Sequence, residues 1–117
     1  MVTKKGNQFY ELTPLDGVGI RVSAIGMAFY VPASVDVTAI ALQDGVTFSI
    51  TPEMLDGAGS YHQLNIHCFY NTGAAVAAGY TIEVFDLNSG TLVDTLTSTL
   101  PAGTLPVQDY FQLTLWI

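Results

Sequence analysis

The sequence predicts an all-β fold: a two-sheet β-sandwich, jelly-roll or immunoglobulin-like, with eight or nine short strands. Three observations carry that prediction. Apolar residues recur with a period of two through most of the chain, turn signals fall about every 8–12 residues, and no segment sustains an amphipathic helical period over three turns. One rival pattern is Leu92, Leu96 and Leu100 at helical spacing. The interleaved Thr91, Thr95, Thr97 and Thr99 are β-branched and fit strands better.

Residues 1–8 are polar, contain a glycine and start no apolar period, so they are expected to form a flexible arm before one sandwich domain over 9–117. Phe9–Leu12 reads as a short strand closed by Thr13-Pro14 and the Asp16-Gly17 turn signal. From Val18 to Val31 the chain is a long β run whose apolar parity changes. Ile20, Val22 and Ala24 share one face, whereas Ile25, Met27, Phe29 and Val31 share the other. Such a change needs a bulge, a break or burial on both faces, and Gly26 marks the expected place.

Val35–Leu42 alternates and then becomes continuously apolar, predicting a central strand. Gln43-Asp44-Gly45 is a tight-turn signal that should pair it with Val46–Ile50 as a hairpin. Thr51-Pro52-Glu53-Met54-Leu55 has an N-cap threonine, a proline at the first helical position and an acid in the first turn. It predicts one helical turn near 51–56, crossing from one edge of the sandwich to the other.

Tyr61–Asn71 should point Leu64, Ile66 and Cys68 inward and Gln63, Asn65 and His67 outward. Asn71–Gly79 reads as an uncharged loop. Tyr80–Thr97 is the clearest hairpin, turning at Asn88-Ser89-Gly90, with Tyr80, Ile82 and Val84 as a core face. Its other face begins with Thr81 and Glu83 but continues with Phe85 and Leu87, which a solvated strand has little reason to carry. In Val107–Ile117, Phe111, Leu113, Leu115 and Ile117 face one way and Tyr110, Gln112, Thr114 and Trp116 the other.

Charged residues are only 11% of the chain, against about 25% in an average soluble domain, and 50% are hydrophobic. Thr, Ser, Asn and Gln must cover the surface, or another chain must, so self-association or docking on a large partner is expected. Lys4, Lys5 and Arg21 are the only basic residues, and from Val22 to Ile117 every ionised side chain is an acid. Such a body repels phosphate, which argues against nucleic-acid binding and against anionic membranes. Cys68 is the single cysteine, so no internal disulfide can form. Val22–Ala33, the most apolar stretch, is too short for a spanning helix and is interrupted by Gly26 and Pro32. No apolar h-region follows Lys4 and Lys5, so a cytoplasmically made product without a signal peptide is expected.

Candidate chemistry is sparse. His62 and His67 are five apart, which puts them on opposite faces of a strand and prevents joint ligation of one metal. One surface and one half-buried histidine are expected. Gly57-Ala58-Gly59-Ser60-Tyr61 lacks the closing glycine of a nucleophile elbow. Asp16, Asp44, Asp56 and Asp86 sit at turns, where Asp bonds its own backbone rather than forming a catalytic pair. Asp86-x-Asn88-x-Gly90 has part of a calcium-loop spacing without the distal glutamate. The expectation is therefore a non-enzyme with no catalytic residue, cofactor or metal. Tyr61, Tyr70, Tyr80, Tyr110 and Trp116 can stack on a sugar ring, which makes a glycan-binding or adhesion module the alternative; the same residues also serve core packing.

Asn71–Gly103, with NTGAAVAAGYTIEVFD followed by a turn and LPAG, resembles the local register of immunoglobulin-like adhesion sandwiches. The whole chain, small, acidic, cysteine-poor and all-β with a short polar N-terminal arm, is similar to virion proteins of tailed phages, of the capsid decoration or cement type. That resemblance implies a homo-oligomer, with a trimer favoured, clamped over seams between major capsid subunits or on another virion protein, and located in the virion. It carries over no functional residue. The expected subunit or partner contacts come from the residues themselves: Lys4 and Lys5 on the arm, pairing with acids of a neighbouring copy, and Phe85 and Leu87 on the hairpin.

Overall fold

The computed structural model describes residues 1–13, 17–23, 27–33, 39–43, 45–55, 61–70, 80–98 and 108–116. In chain order its strands are β1 (Val2–Gly6), β2 (Phe9–Leu12), β3 (Val18–Ser23), β4 (Met27–Val31), β5 (Ile40–Leu42), β6 (Thr47–Ile50), β7 (Tyr61–Tyr70), β8 (Tyr80–Asp86), β9 (Leu92–Ser98) and β10 (Gln108–Trp116). They form a six-stranded sheet in the order β1-β2-β10-β7-β4-β5 and a four-stranded sheet in the order β6-β3-β8-β9. The fold is the predicted all-β sandwich. Alternation explains it: each sheet turns one apolar face inward, and the two faces bury each other. Leu64, Ile66, Leu113 and Leu115 from the larger sheet meet Val18, Ile20, Val22, Ile82 and Val84 from the smaller. Tyr80 is part of this core, edge-on to Phe29 at 6.0 Å and to Phe111 at 5.0 Å. Its ring is therefore withdrawn from the group expected to stack on sugar.

The parity change in Val18–Val31 marks a change of sheet. β3 lies in the four-stranded sheet with Val18, Ile20 and Val22 buried, and β4 lies in the six-stranded sheet with Phe29 and Val31 buried. Inward residues are even-numbered before the break and odd-numbered after it because the core lies on opposite sides of the two strands.

Three expectations need correction. Residues 2–6, read as a free arm, are β1, antiparallel to β2 with Val2 opposite Leu12. They are held because Val2 has a buried place to go and its N–H donates to Asp86 Oδ2 at 3.1 Å. This strand brings the number among the described residues to ten. Val35–Ile50 is not a hairpin. The turn forms, with the Val46 N–H donating to Gln43 O at 3.1 Å, but β5 pairs with β4 whereas β6 pairs with β3. Turn chemistry reverses the chain locally; each strand then joins whichever partner lies in its own sheet. Among the described residues β5 is consequently the last strand of its sheet, and residues 34–38 of the expected central strand lie outside them.

The predicted helical turn is a single 3-10 turn, Pro52–Met54, connecting β6 in one sheet to β7 inside the other rather than edge to edge. Thr51 makes no side-chain capping bond to the backbone. The Glu53 carboxylate accepts its own backbone N–H and, second, the Thr51 hydroxyl, and these bonds hold Glu53 below the usual glutamate range. The loop read at Asn71–Gly79, and residues 99–103 of the immunoglobulin-like register, lie outside the described residues.

Candidate functional site

The side of the sandwich formed by β1 and β9 is closed by polar chemistry. Asp94 on β9 accepts the Tyr10 hydroxyl at 2.8 Å and pairs with Lys4 Nζ at 3.1 Å. Burial opposes ionisation of Asp94, but Tyr10, Lys4 and the Thr95 N–H outweigh it and hold the carboxyl below the usual range. Burial, then the bond to Asp94 and its charge, push the Tyr10 phenol well above the ordinary tyrosine range. Asp86 is 5% exposed and likewise overcomes its burial, through the N–H groups of Val2, Asn88 and Ser89 and the neighbouring N-terminal charge. Its bond to the Asn88 N–H, 2.9 Å, is the turn role expected from the sequence. Lys4, expected to reach a neighbouring copy, thus finds its acid within the chain, while Lys5 is exposed on the β1 edge. An edge strand carrying lysines resists adding a further strand.

The outer face of the four-stranded sheet carries Phe85 and Leu87. Both are half-buried, because β3 beneath them has no side chain at Gly17 or Gly19. A Cβ on Gly19 would stand 3.0 Å from Leu87 Cδ2 and 3.4 Å from Phe85 Cβ. The Arg21 guanidinium lies 4.8 Å from the Phe85 ring centroid while bonding Glu83 at 2.8 Å. A register shift between Val84 and Phe85 then sets Leu92, 46% exposed, opposite Phe85. Leu92 was missed as a surface residue because ordinary alternation does not reveal a bulge. The result is an apolar patch of Phe85, Leu87 and Leu92, in which Phe85 and Leu87 rest on a glycine floor and Arg21 lies over the Phe85 ring.

The outer face of the six-stranded sheet is built differently. At one end Tyr61 packs against Trp116 at 4.6 Å and Phe9 at 5.6 Å. At the other, Tyr30, His67 and Tyr110 form a row across β4, β7 and β10, with centroids 5.2 and 5.9 Å apart. Between these ends Gln112 Nε2 donates to Gln63 Oε1 at 3.2 Å and to Asn65 Oδ1 at 3.3 Å. Tyr61 and Tyr110 are 62% and 61% exposed. His67 joins this face, whereas His62 is fully buried on the core side. The expected half-buried histidine is thus a core residue, as the parity of Leu64 and Ile66 requires.

Among the described residues, no cluster of His, Cys, Asp and Glu is placed to hold a metal ion. Clefts of about 240 Å³ flank the β1–β9 side, one lined by Lys4, Gln8, Leu96 and Phe111 and one by Val2, Asp86, Thr91 and Leu92. Both are smaller than the roughly 300–1,000 Å³ typical of small-molecule sites. No protein-family model, curated protein or solved structure matches this chain.

Proposed function

We propose that the chain is a non-enzymatic structural protein of the capsid-decoration kind, acting in a virion as a homo-oligomer, with a trimer favoured, that covers contacts between larger subunits. The observation that carries this reading is the apolar patch of Phe85, Leu87 and Leu92 on the outside of the four-stranded sheet. An apolar group held rigidly at a surface loses little conformational freedom when a partner covers it, so its burial contributes nearly in full. The poverty of charge elsewhere favours the same mode of action. Of three basic residues, Lys4 and Arg21 are engaged within the chain, which leaves little for phosphate.

The test is native mass by light scattering together with co-sedimentation with assembled capsids. A defined oligomer that sediments with particles, and a Phe85→Glu variant that folds but does neither, supports the reading. A strict monomer that ignores particles overturns it. If Phe85→Glu unfolds the subunit instead, Phe85 is a folding residue and the patch is not the contact.

A further inference from the structure

We infer that the outer face of the six-stranded sheet is a binding platform for a neutral polysaccharide chain lying along β7. The first argument is the arrangement of the face. Protein–protein interfaces place apolar groups at the centre and polar groups at the rim. This face reverses that order, with the Gln63, Asn65 and Gln112 amides at the centre and aromatic groups at both ends. A protein partner centred here would have to satisfy three amides in its driest region, which is costly when any donor or acceptor is left unpaired.

A sugar chain meets the same pattern without that conflict. Each amide carries an acceptor oxygen and a two-proton donor, matching hydroxyls that are themselves donors and acceptors. The weakly polarised C–H faces of a pyranose pack against Tyr61 at one end and Tyr110 at the other, both of which project well into solvent. From Tyr61 to His67 the strand advances by six residues, roughly 20 Å at the usual rise, so the platform accommodates several sugar units.

Charge selects the class of sugar. Among the described outward side chains of β4, β7 and β10 there is no Asp, Glu, Lys or Arg. Those described side chains offer no cation to recognise a uronic acid or sulfate, the exposed Lys5 lying on the edge strand β1, and the chain is acidic overall, with a formal charge of −7, which repels polyanions. The ligand is therefore uncharged. This platform lies on the opposite side of the sandwich from Phe85, so one subunit can hold an assembly with one face and a glycan with the other.

Trp116 is the only tryptophan and lies on this face, so its fluorescence reports occupancy directly. The full chain is titrated with cellohexaose, xylohexaose and maltohexaose, with hexagalacturonate as the anionic comparison. A saturable fluorescence change is expected with at least one neutral hexasaccharide and none with hexagalacturonate. Tyr61→Ala and Tyr110→Ala, both at exposed positions, should each weaken binding roughly tenfold and together abolish it, with the circular dichroism spectrum unchanged. Phe85→Glu should leave the titration as it is. The inference is overturned if none of the three neutral sugars binds at millimolar concentration, if the double variant binds normally, or if hexagalacturonate binds as well. It is also overturned if Tyr61→Ala lowers the native mass, because a second copy would then occupy the face.

Discussion

The two outer faces of this sandwich come from similar alternating strands but differ in what supports their exposed groups. On the four-stranded sheet, Phe85 and Leu87 lie down over Gly17 and Gly19 and Arg21 sits over the Phe85 ring, so apolar surface is half sunk. On the six-stranded sheet, Tyr61 packs against Trp116 and Tyr110 stacks on His67, yet both remain largely exposed and flank a hydrogen-bonded amide row. The difference teaches that a sheet's outer face takes its character from the small residues beneath it and the cross-strand pairs upon it.

Breaking the glycine floor should have the largest effect. Gly17 has φ +111°, and a Cβ there would stand 2.9 Å from the Ile50 carbonyl oxygen. Gly17→Ala should lower stability by about 1–3 kcal/mol from backbone strain alone, with the clash in addition, read as a fall in urea midpoint. Gly45→Ala isolates the strain component, because Gly45 has φ +77° with nothing within 4 Å of an added Cβ. It should cost less than Gly17→Ala; equal losses would show that the floor imposes no steric constraint on the patch.

Cutting the β1–β9 side should come next, since it keeps the sheets and hence both faces in register. Asp94→Ala removes the acceptor of the buried Tyr10 hydroxyl and should cost about 1–3 kcal/mol in chemical denaturation. The pH dependence follows from the signs. The folded-state values of Asp86 and Asp94 are depressed, so their stabilisation is present above the unfolded aspartate value of about 3.9 and is lost as pH falls through the folded values. Tyr10 is shifted the other way, so its contribution holds below the unfolded tyrosine value of about 10 and is lost as pH rises beyond it. Asp94→Ala should flatten both limbs of a stability-against-pH curve, and a curve unchanged at either end would contradict this assignment.

Smaller effects separate the faces. Phe85→Glu should change monomer stability by about 1 kcal/mol or less while abolishing association, read by native mass. Smallest of all, Gln112→Ala should shift the thermal midpoint by an amount equivalent to about 0.5 kcal/mol or less, because its bond to Gln63 is exposed and that to Asn65 only part-buried. A large loss there would make the amide row part of the sheet's scaffolding.

Much of this was legible locally. The period of two in Phe111–Leu115 and Tyr80–Val84 announced core strands, and the Asn88-Ser89-Gly90 signal placed the β8–β9 hairpin correctly, because alternation and turn chemistry act over a few residues. The parity change before Met27 was visible as well, though not that it carries the chain into the other sheet. Tertiary pairing alone decided the rest. Val2 earned β1 its place only because Asp86, distant in sequence, lies beside it, and the Asp44-Gly45 turn could not reveal that β5 and β6 belong to different sheets. The amide row needs Gln112 of β10 next to Gln63 and Asn65 of β7, and the apolar patch needs a bulge to bring Leu92 opposite Phe85. Local sequence determined which side chains point outward wherever alternation runs unbroken, as in β8 and β10, but not at the β9 bulge that exposes Leu92. Only long-range strand pairing decided which of them meet, because register is set by contacts between strands rather than within them.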